Sequence, residues 1–290
     1  MFLKKYTVKV PGSCGELIQG MIDGINFHVT CPVNLFSEVC VSISKNSDII
    51  CDKSYHKAIT AMKKTLKYYS ANNFGGKIRI NSSIPAGKGM ASSTADISGV
   101  IISTALSLNE TINEEETAKI ALSIEPSDGV MFKGICMFDH KFGKIHEYLG
   151  NIPENKILIL DLGGTVDTLE FNNKDFLSIL KENEDKINKA VKILKDGILE
   201  KDLQRVCEAS TASAILNQKI LYKQNLPKII NFSLNNGALG INIAHSGTVI
   251  GIIFNKDFNK ISKFTDKLQK EINTKLCCFE SEIIGGGAIY

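Results

Sequence analysis

The segment that most constrains this chain is Pro85-Ala86-Gly87-Lys88-Gly89-Met90-Ala91-Ser92-Ser93-Thr94-Ala95-Asp96. Lys77 to Asn81 before it alternates in polarity and reads as a strand. After it, Ile97, Val100, Ile101, Ala105 and Leu108 mark one face of a helix. A turn of small residues between strand and helix lets the backbone approach an anion closely. It also leaves the first N–H groups of the helix free to bind phosphate oxygens. Ser92, Ser93 and Thr94 add hydroxyls and Lys88 adds positive charge. The bland alternative is a strand–turn–helix with a serine cap. For Gly-x-Gly alone that reading would win; the full string favours anion binding. It matches neither G-x-x-x-x-G-K-[ST] nor G-x-G-x-x-G.

Composition narrows what such a loop can serve. At 290 residues the length suggests about two domains, and 43% hydrophobic against 22% charged residues supports a buried core. A net charge of +3, with Arg79 and Arg205 the only arginines, argues against nucleic acid as a partner. No apolar run approaches the length of a membrane span, so no membrane partner is expected, and Met1 to Thr7 lacks the apolar stretch of a signal peptide. The eight cysteines include no C-x-x-C pair and read as free thiols of a reducing, cytoplasmic setting. The five histidines show no H-E-x-x-H spacing, so no dedicated zinc site is expected.

Elsewhere, Tyr6 to Val10 and Val39 to Ile43 alternate as strands, and Ile59, Met62, Leu66 and Tyr69 predict a helix over 56–71. Asn113 followed by Glu114, Glu115 and Glu116 reads as a helix N-cap, with a helix running toward Ile124. The turn-rich Gly150 to Asn155 marks a boundary, giving units 1–152 and 153–290. Beyond it, Lys156 to Leu162 reads as a strand. Leu180, Ile187, Val191, Leu194 and Ile198 lie on one face of a lysine-rich helix, and another helix covers about 202–222. Gly240 to Ala244 and Val249 to Phe254 read as strands joined by His245-Ser246-Gly247-Thr248. Helices and strands mix without a regular βαβ period, which favours an α+β fold.

The loop resembles the second motif of the GHMP kinases (the galactokinase, homoserine kinase, mevalonate kinase and phosphomevalonate kinase superfamily), written P-x-x-x-G-L-G-S-S-A-A. Ala91 stands in place of the second glycine and permits the same close approach where its φ is negative. Pro11-Gly12-Ser13-Cys14-Gly15-Glu16-Leu17-Ile18-Gln19-Gly20 lies where the first motif, P-G-x-x-x-L-x-G-E, is found; Ser13 occupies a position that is lysine or arginine in several members. Ala244-His245-Ser246-Gly247-Thr248-Val249 looks like a diverged third motif, against the alternative of a polar hairpin turn. With Cys31-Pro32-Val33 and Glu125-Pro126-Ser127-Asp128, the combination is similar to the superfamily members that phosphorylate L-threonine in cobalamin biosynthesis. The resemblance runs from about residue 6 to 254.

That resemblance implies a two-domain α+β fold, an N-terminal mixed α/β domain followed by a ferredoxin-like α/β sandwich. It implies ATP and Mg²⁺ as cofactors, L-threonine as substrate, and a monomer or homodimer. The nucleotide phosphates would lie against Pro85, Ala86, Gly87, Lys88, Gly89, Met90, Ala91, Ser92, Ser93, Thr94 and Ala95. Ser93 and Glu125 would hold the metal, and Asp128 would be the general base. Without the loop, Glu125-Pro126-Ser127-Asp128 would read as a charged helix stop. Glu16 and Asp167 can meet a substrate ammonium; His245, Ser246, Thr248 and the region of Ser13 can meet its carboxylate or hydroxyl. Cys14 lies in the first motif but reads first as a small apolar core residue, and Arg205 as a surface residue. Asp161 to Thr168 forms a wall of an inter-domain cleft in this reading. A homoserine or isoprenoid-alcohol kinase of the same superfamily and a catalytically silent ATP-binding regulator are the alternatives.

Overall fold

The computed structural model describes residues 4–52, 55–164 and 176–290. Two strands dominate it. β1 (Lys4–Ile22) and β2 (Ile25–Lys45) form one long antiparallel hairpin closed by Asp23-Gly24, both at positive φ (50° and 75°). A two-residue turn of this kind matches the twist of the strands it joins. β3 (Ile49–Ile50), the helix α1 (His56–Tyr68) and β4 (Phe74–Ser82) follow, with β4 antiparallel to β2. The glycine-rich loop leads into α2 (Ser92–Ser107) and then α3 (Glu114–Leu122). β5 (Ile135–Phe138) and β6 (His146–Gly150) complete this half.

The periodicity predicts one apolar face for the helix after the loop. The structure instead buries 13 of the 16 residues of α2, because the helix packs against the hairpin, α1 and α3 together. Two of its serines help make this possible. The Ser103 and Ser107 hydroxyls donate to the carbonyls of Val39 and Val41 at 3.1 and 3.2 Å, so their burial leaves no unmet donor. Gly99 lets the helix lie close to β2, since a Cβ there would come 2.6 Å from Val39 Cγ2. The N-cap read at Asn113 is present as a full capping box with Glu116.

The second half contains β7 (Asn155–Asp161), α4 (Leu177–Leu199), α5 (Leu203–Leu216), α6 (Leu226–Asn235), β8 (Gly240–Ile243), β9 (Val249–Asn255), α7 (Ile261–Glu271) and β10 (Cys277–Ser281). Its strands run in the order β10-β7-β9-β8 with every neighbouring pair antiparallel, and helices connect β7 to β8 and β9 to β10. This is the ferredoxin-like order expected from the resemblance. The helix expected over about 202–222 ends sooner, at Leu216, and passes into a 3₁₀ turn at Asn217–Lys219. α6, α7 and β10 have no counterpart in the sequence reading.

The two halves share one sheet. β8 lies beside β1 through the pair Glu16↔Ile243, so eight strands run in one order, β10-β7-β9-β8-β1-β2-β4-β3, across the connector near residue 150, with β5 and β6 branching from β2. One core also crosses it: Val8, Ile18 and Phe27 of the hairpin pack with Ile157, Ile187, Val191, Leu194, Val206 and Ile253. Gly15, at φ +56°, makes the junction possible. A Cβ there would lie 2.3 Å from Ala244 Cα and 2.4 Å from the Ile243 carbonyl oxygen. Among the described residues no helix is long and apolar enough to cross a membrane.

This junction yields a stability prediction. Gly15→Ala adds a methyl against backbone that cannot rotate away, at a left-handed φ that alanine disfavours. Unfolding in urea is expected to show a loss of about 2–4 kcal/mol. A loss of less than about 0.5 kcal/mol, the range of an ordinary surface substitution, would show that the seam is not packed this tightly.

Candidate active site

Three segments meet at the seam. The loop Pro85–Ala91 passes over the β8–β9 hairpin so closely that a Cβ on Gly89 would lie 2.7 Å from Gly247 Cα, and one on Gly247 would lie 2.2 Å from the Lys88 carbonyl oxygen. The Thr248 N–H donates to that same Lys88 carbonyl at 3.0 Å, and the Ser13 N–H donates to the Met90 carbonyl at 2.9 Å. The first motif, the loop and the third motif are thus joined backbone to backbone. Gly87 and Gly89 take positive φ (72° and 76°), and so does Ala91 (57°). Ala91 therefore does not take the negative φ under which an alanine was expected to suit the loop. It adopts the left-handed conformation natural to the glycine it replaces, as the residue preceding α2. No side chain caps that helix, so its first N–H groups face the loop, as an anion site requires.

The loop residues divide by role. Gly87, Ser92 and Ser93 line a cavity of about 250 Å³ together with Tyr55, Lys57 and Asp96. Ala86, which is exposed, also lines it, whereas Pro85 is half-buried and does not. Met90, Ala91, Thr94 and Ala95 are buried and shape the turn from beneath. Lys88 is held by Asp161 at 2.8 Å and by the Gly164 carbonyl at 2.7 Å. Burial alone would raise Asp161, but Lys88, the Gly163 N–H and the Thr248 hydroxyl hold it below the usual carboxylate range. Asp96, buried and accepting from the Ser37 hydroxyl, is pushed up to about 6 by its burial.

Ser93 and Glu125 are brought together. The Ser93 hydroxyl donates to one Glu125 oxygen, and the Lys57 ammonium lies 2.5 Å from the other and 3.4 Å from Ser93 Oγ. A hydroxyl and a carboxylate are the hard oxygen ligands that magnesium takes, and the lysine ammonium between them occupies the place of a cation. The donor set therefore fits a magnesium ion. Lys57 escaped the sequence reading because nothing in the 56–71 helix pattern distinguishes it from the other lysines of α1.

Asp128 sits on the turn after α3, where the Thr94 hydroxyl accepts its N–H at 3.3 Å and the Thr30 hydroxyl accepts the N–H of Gly129 at 3.0 Å. Its carboxylate remains one-quarter exposed and lies 3.6 Å from His28 Nδ1. Burial, reinforced by the charges of Glu16 and Glu125, pushes it above the usual carboxylate range against the opposing pull of His28. Glu16 is buried at the seam, where one of its oxygens accepts both the N–H and the ring Nδ1–H of His245, each at 2.9 Å. Burial would raise Glu16, yet the His245 hydrogen bonds and the nearby His28 hold it below its ordinary value. Burial lowers His245 despite Glu16, which keeps its ring neutral. His28 itself stacks on His140 at 3.7 Å.

The other expected substrate contacts separate. Ser13 is buried beneath the loop and Ser246 is half-buried at the hairpin tip. Thr248 turns its hydroxyl to Asp161 at 2.8 Å. Cys14 is in the core, its carbonyl taken by the Asn242 amide, and burial raises its thiol far above the ordinary range. Asp167 lies outside the described residues. The structure adds Lys223, which the sequence reading missed. It is buried, donates to the Gly247 carbonyl at 2.5 Å, and is lowered by burial to about 8 although Glu16 and Cys14 oppose the shift. Arg205 pairs with Glu200 and Asp196 on the surface, away from the loops.

Residues 54–134 match the family model for the GHMP kinases N terminal domain. The chain is 30% identical over 267 residues to an L-threonine kinase of Salmonella typhimurium, covering 91% of this chain and 88% of that one. It is 29% identical over 248 residues to an L-threonine kinase of Citrobacter freundii, covering 85% of each. In fold it is similar to the crystal structure of the Methanococcus jannaschii mevalonate kinase, with a TM-score of 0.71 over 97% of this chain and 98% of that one, at 19% identity. On the match of residues 54–134 to the family model and the 30% identity to a relative covered over most of both chains, the chain belongs to the GHMP kinases.

Proposed function

We propose that this chain is an ATP-dependent small-molecule kinase that phosphorylates the hydroxyl of L-threonine to give O-phospho-L-threonine. The observation that carries the reading is the placement of the partly exposed Asp128 beside the uncapped start of α2, on the same turn as Glu125 of the Ser93–Glu125 pair. By resemblance the product would feed the nucleotide loop of cobalamin.

In this reading the loop backbone and the first N–H groups of α2 hold the triphosphate, with Ser92 and Ser93 adding hydroxyl donors. Ser93 and Glu125 would hold magnesium, which when bound would supply positive charge to offset that of the triphosphate. Lys57, displaced from that pair, lies in reach of the phosphates as a further cation. Asp128 accepts the proton of the substrate hydroxyl as its oxygen attacks the γ-phosphorus. The bond from that phosphorus to the bridging oxygen breaks, and ADP departs with the electron pair. A base held above the usual carboxylate range is better matched to this proton than an exposed aspartate.

Three results test the proposal. Purified protein with Mg-ATP should release ADP when given L-threonine, and less with L-serine, L-homoserine or mevalonate. A preference for homoserine or mevalonate would move the reading to another branch of the family, and ATP binding without turnover on any of them would point to a silent regulator. Asp128→Asn should lower kcat by roughly 10²–10⁴, the range for loss of a general base, with nucleotide binding little changed. Unchanged turnover in the folded variant would remove Asp128 from the base role. Because Asp128 must be ionised to accept the proton and its pKa is raised, kcat/KM should fall on the acid side at a pH above that of an ordinary carboxylate. An acid limb at the ordinary position would contradict the site's electrostatics.

A further inference from the structure

Glu16, His28 and Asp128 each offer one ligand atom to a common space, and these atoms lie within 4.8 Å of one another. His28 Nδ1 stands 3.6 Å from an Asp128 oxygen and 3.9 Å from the Glu16 oxygen that His245 leaves unused. His28 is 94% buried, and neither of its ring nitrogens has a hydrogen-bond partner among the described residues. A buried imidazole without partners is costly unless a ligand completes it. Two carboxylates face the same space, while the neighbouring rings of His245 and His140 are kept neutral by burial and add no charge. The triangle is closed below by Glu16 and His28 and open at Asp128, the one corner with appreciable exposure. Its chemistry calls for a compact cation carrying several N–H donors.

We infer that this triangle is the ammonium subsite for a substrate whose amine and hydroxyl sit on adjacent carbons, a vicinal amino alcohol. The inference rests on the kinase reading above and names the substrate class of that site. An ammonium seated just above the three atoms takes over the positive charge of this space and donates one proton to each corner at about 2.9 Å, His28 Nδ1 accepting as an unprotonated nitrogen. Adjacent carbons in a staggered rotamer place amine and hydroxyl within hydrogen-bond distance of each other. One Asp128 oxygen then takes the ammonium while the carboxylate also reaches the hydroxyl proton. An amine one carbon further away cannot occupy the triangle with its hydroxyl still at Asp128, and a substrate without an amine leaves two carboxylates facing each other unneutralised. His28 and Glu16 are positioning residues in this scheme: they hold the amine and thereby aim the hydroxyl.

The full-length protein is titrated calorimetrically with L-threonine, with (R)-1-amino-2-propanol, which lacks the carboxylate, with (R)-3-hydroxybutyrate, which lacks the amine, and with L-homoserine, while ADP release is measured in parallel. Removing or displacing the amine should weaken binding by at least about tenfold, the effect of losing charge-assisted hydrogen bonds, and (R)-1-amino-2-propanol should still bind. His28→Phe keeps a ring to stack on His140 and Glu16→Gln keeps an acceptor for His245; in either folded variant the preference for L-threonine over (R)-3-hydroxybutyrate should collapse, a change that general loosening of the site would not produce. Should a variant not fold, the substrate series on the unaltered protein decides. A smaller dependence on the amine, with ADP release intact, overturns this inference and leaves the kinase reading standing. Amine-dependent binding without ADP release does the reverse. A Mn²⁺ ion that binds without nucleotide and is lost in His28→Phe also overturns it and assigns the triangle to a metal.

Discussion

Everything in this site depends on backbone meeting backbone without side chains between. Gly15 lies against Ala244, Gly89 against Gly247, and the Ser13 and Thr248 N–H groups bond to the loop carbonyls of Met90 and Lys88. These contacts tie the hairpin of one half to the β8–β9 turn of the other, with the glycine-rich loop between them. The arrangement demands positive φ at Gly15, Gly87 and Gly89, and it imposes the same on Ala91, where an alanine costs about 1 kcal/mol relative to glycine. That cost is tolerated because the Ala91 methyl is buried in the core that crosses the seam. A loop fixed on both sides presents its donors without reorganising, which is what electrostatic stabilisation of a phosphoryl group requires.

Charge in the site is arranged around this rigid frame. With only two arginines in the chain, and Arg205 committed to surface pairs, its cations are lysines. Each is held by oxygen: Lys88 by Asp161 and Gly164, Lys57 by Glu125 and Ser93, Lys223 by Gly247. Lysine suits this better than arginine, because a compact ammonium can be exchanged for a metal ion or handed to a phosphate oxygen without breaking a two-pronged pair. Lys223, buried and lowered to about 8, contributes by position: it fixes the Gly247 carbonyl and so the hairpin on which the loop rests.

Much of this was legible from residue order alone. The loop, the acidic turn, the Asn113 cap and the two strands around His245 stand where spacing put them, and Ser93 and Glu125, joined beforehand only by the family resemblance, meet as a pair. What spacing missed has a geometric cause. Asp23-Gly24 is a recognisable hairpin turn, and counting outward from it pairs Ile22 with Ile25 and Gln19 with His28. The same count would pair Leu17 with Thr30 and turn Glu16 to the opposite face from His28. The structure instead places Glu16 opposite Thr30, because the strand bulges between Glu16 and Ile18. A bulge inserts one residue and exchanges the two faces beyond it. No periodicity reveals where it falls, so His28 could not be placed beside Glu16 in advance. α2 failed differently: a helix buried on all sides loses the one-faced pattern that marks surface helices, and Ser103 and Ser107 read as polar although they bond to strand carbonyls.

The bulge also explains how a carboxylate can be buried at the seam. Glu16 is the residue through which β1 pairs with β8, and its side chain returns to the start of the following turn, where the His245 N–H and ring both donate to one oxygen. Two donors on one oxygen offset much of the desolvation of the charge and hold Glu16 ionised, while its second oxygen is left facing His28. One residue therefore does two things that conflict elsewhere in proteins: it joins two halves of a sheet, and it keeps an unspent negative charge. Asp128, on the next turn of chain to reach this space, is raised partly by that charge. The raised pKa of Asp128 and the continuity of the sheet thus depend on the same residue, the first through its carboxylate and the second through its backbone.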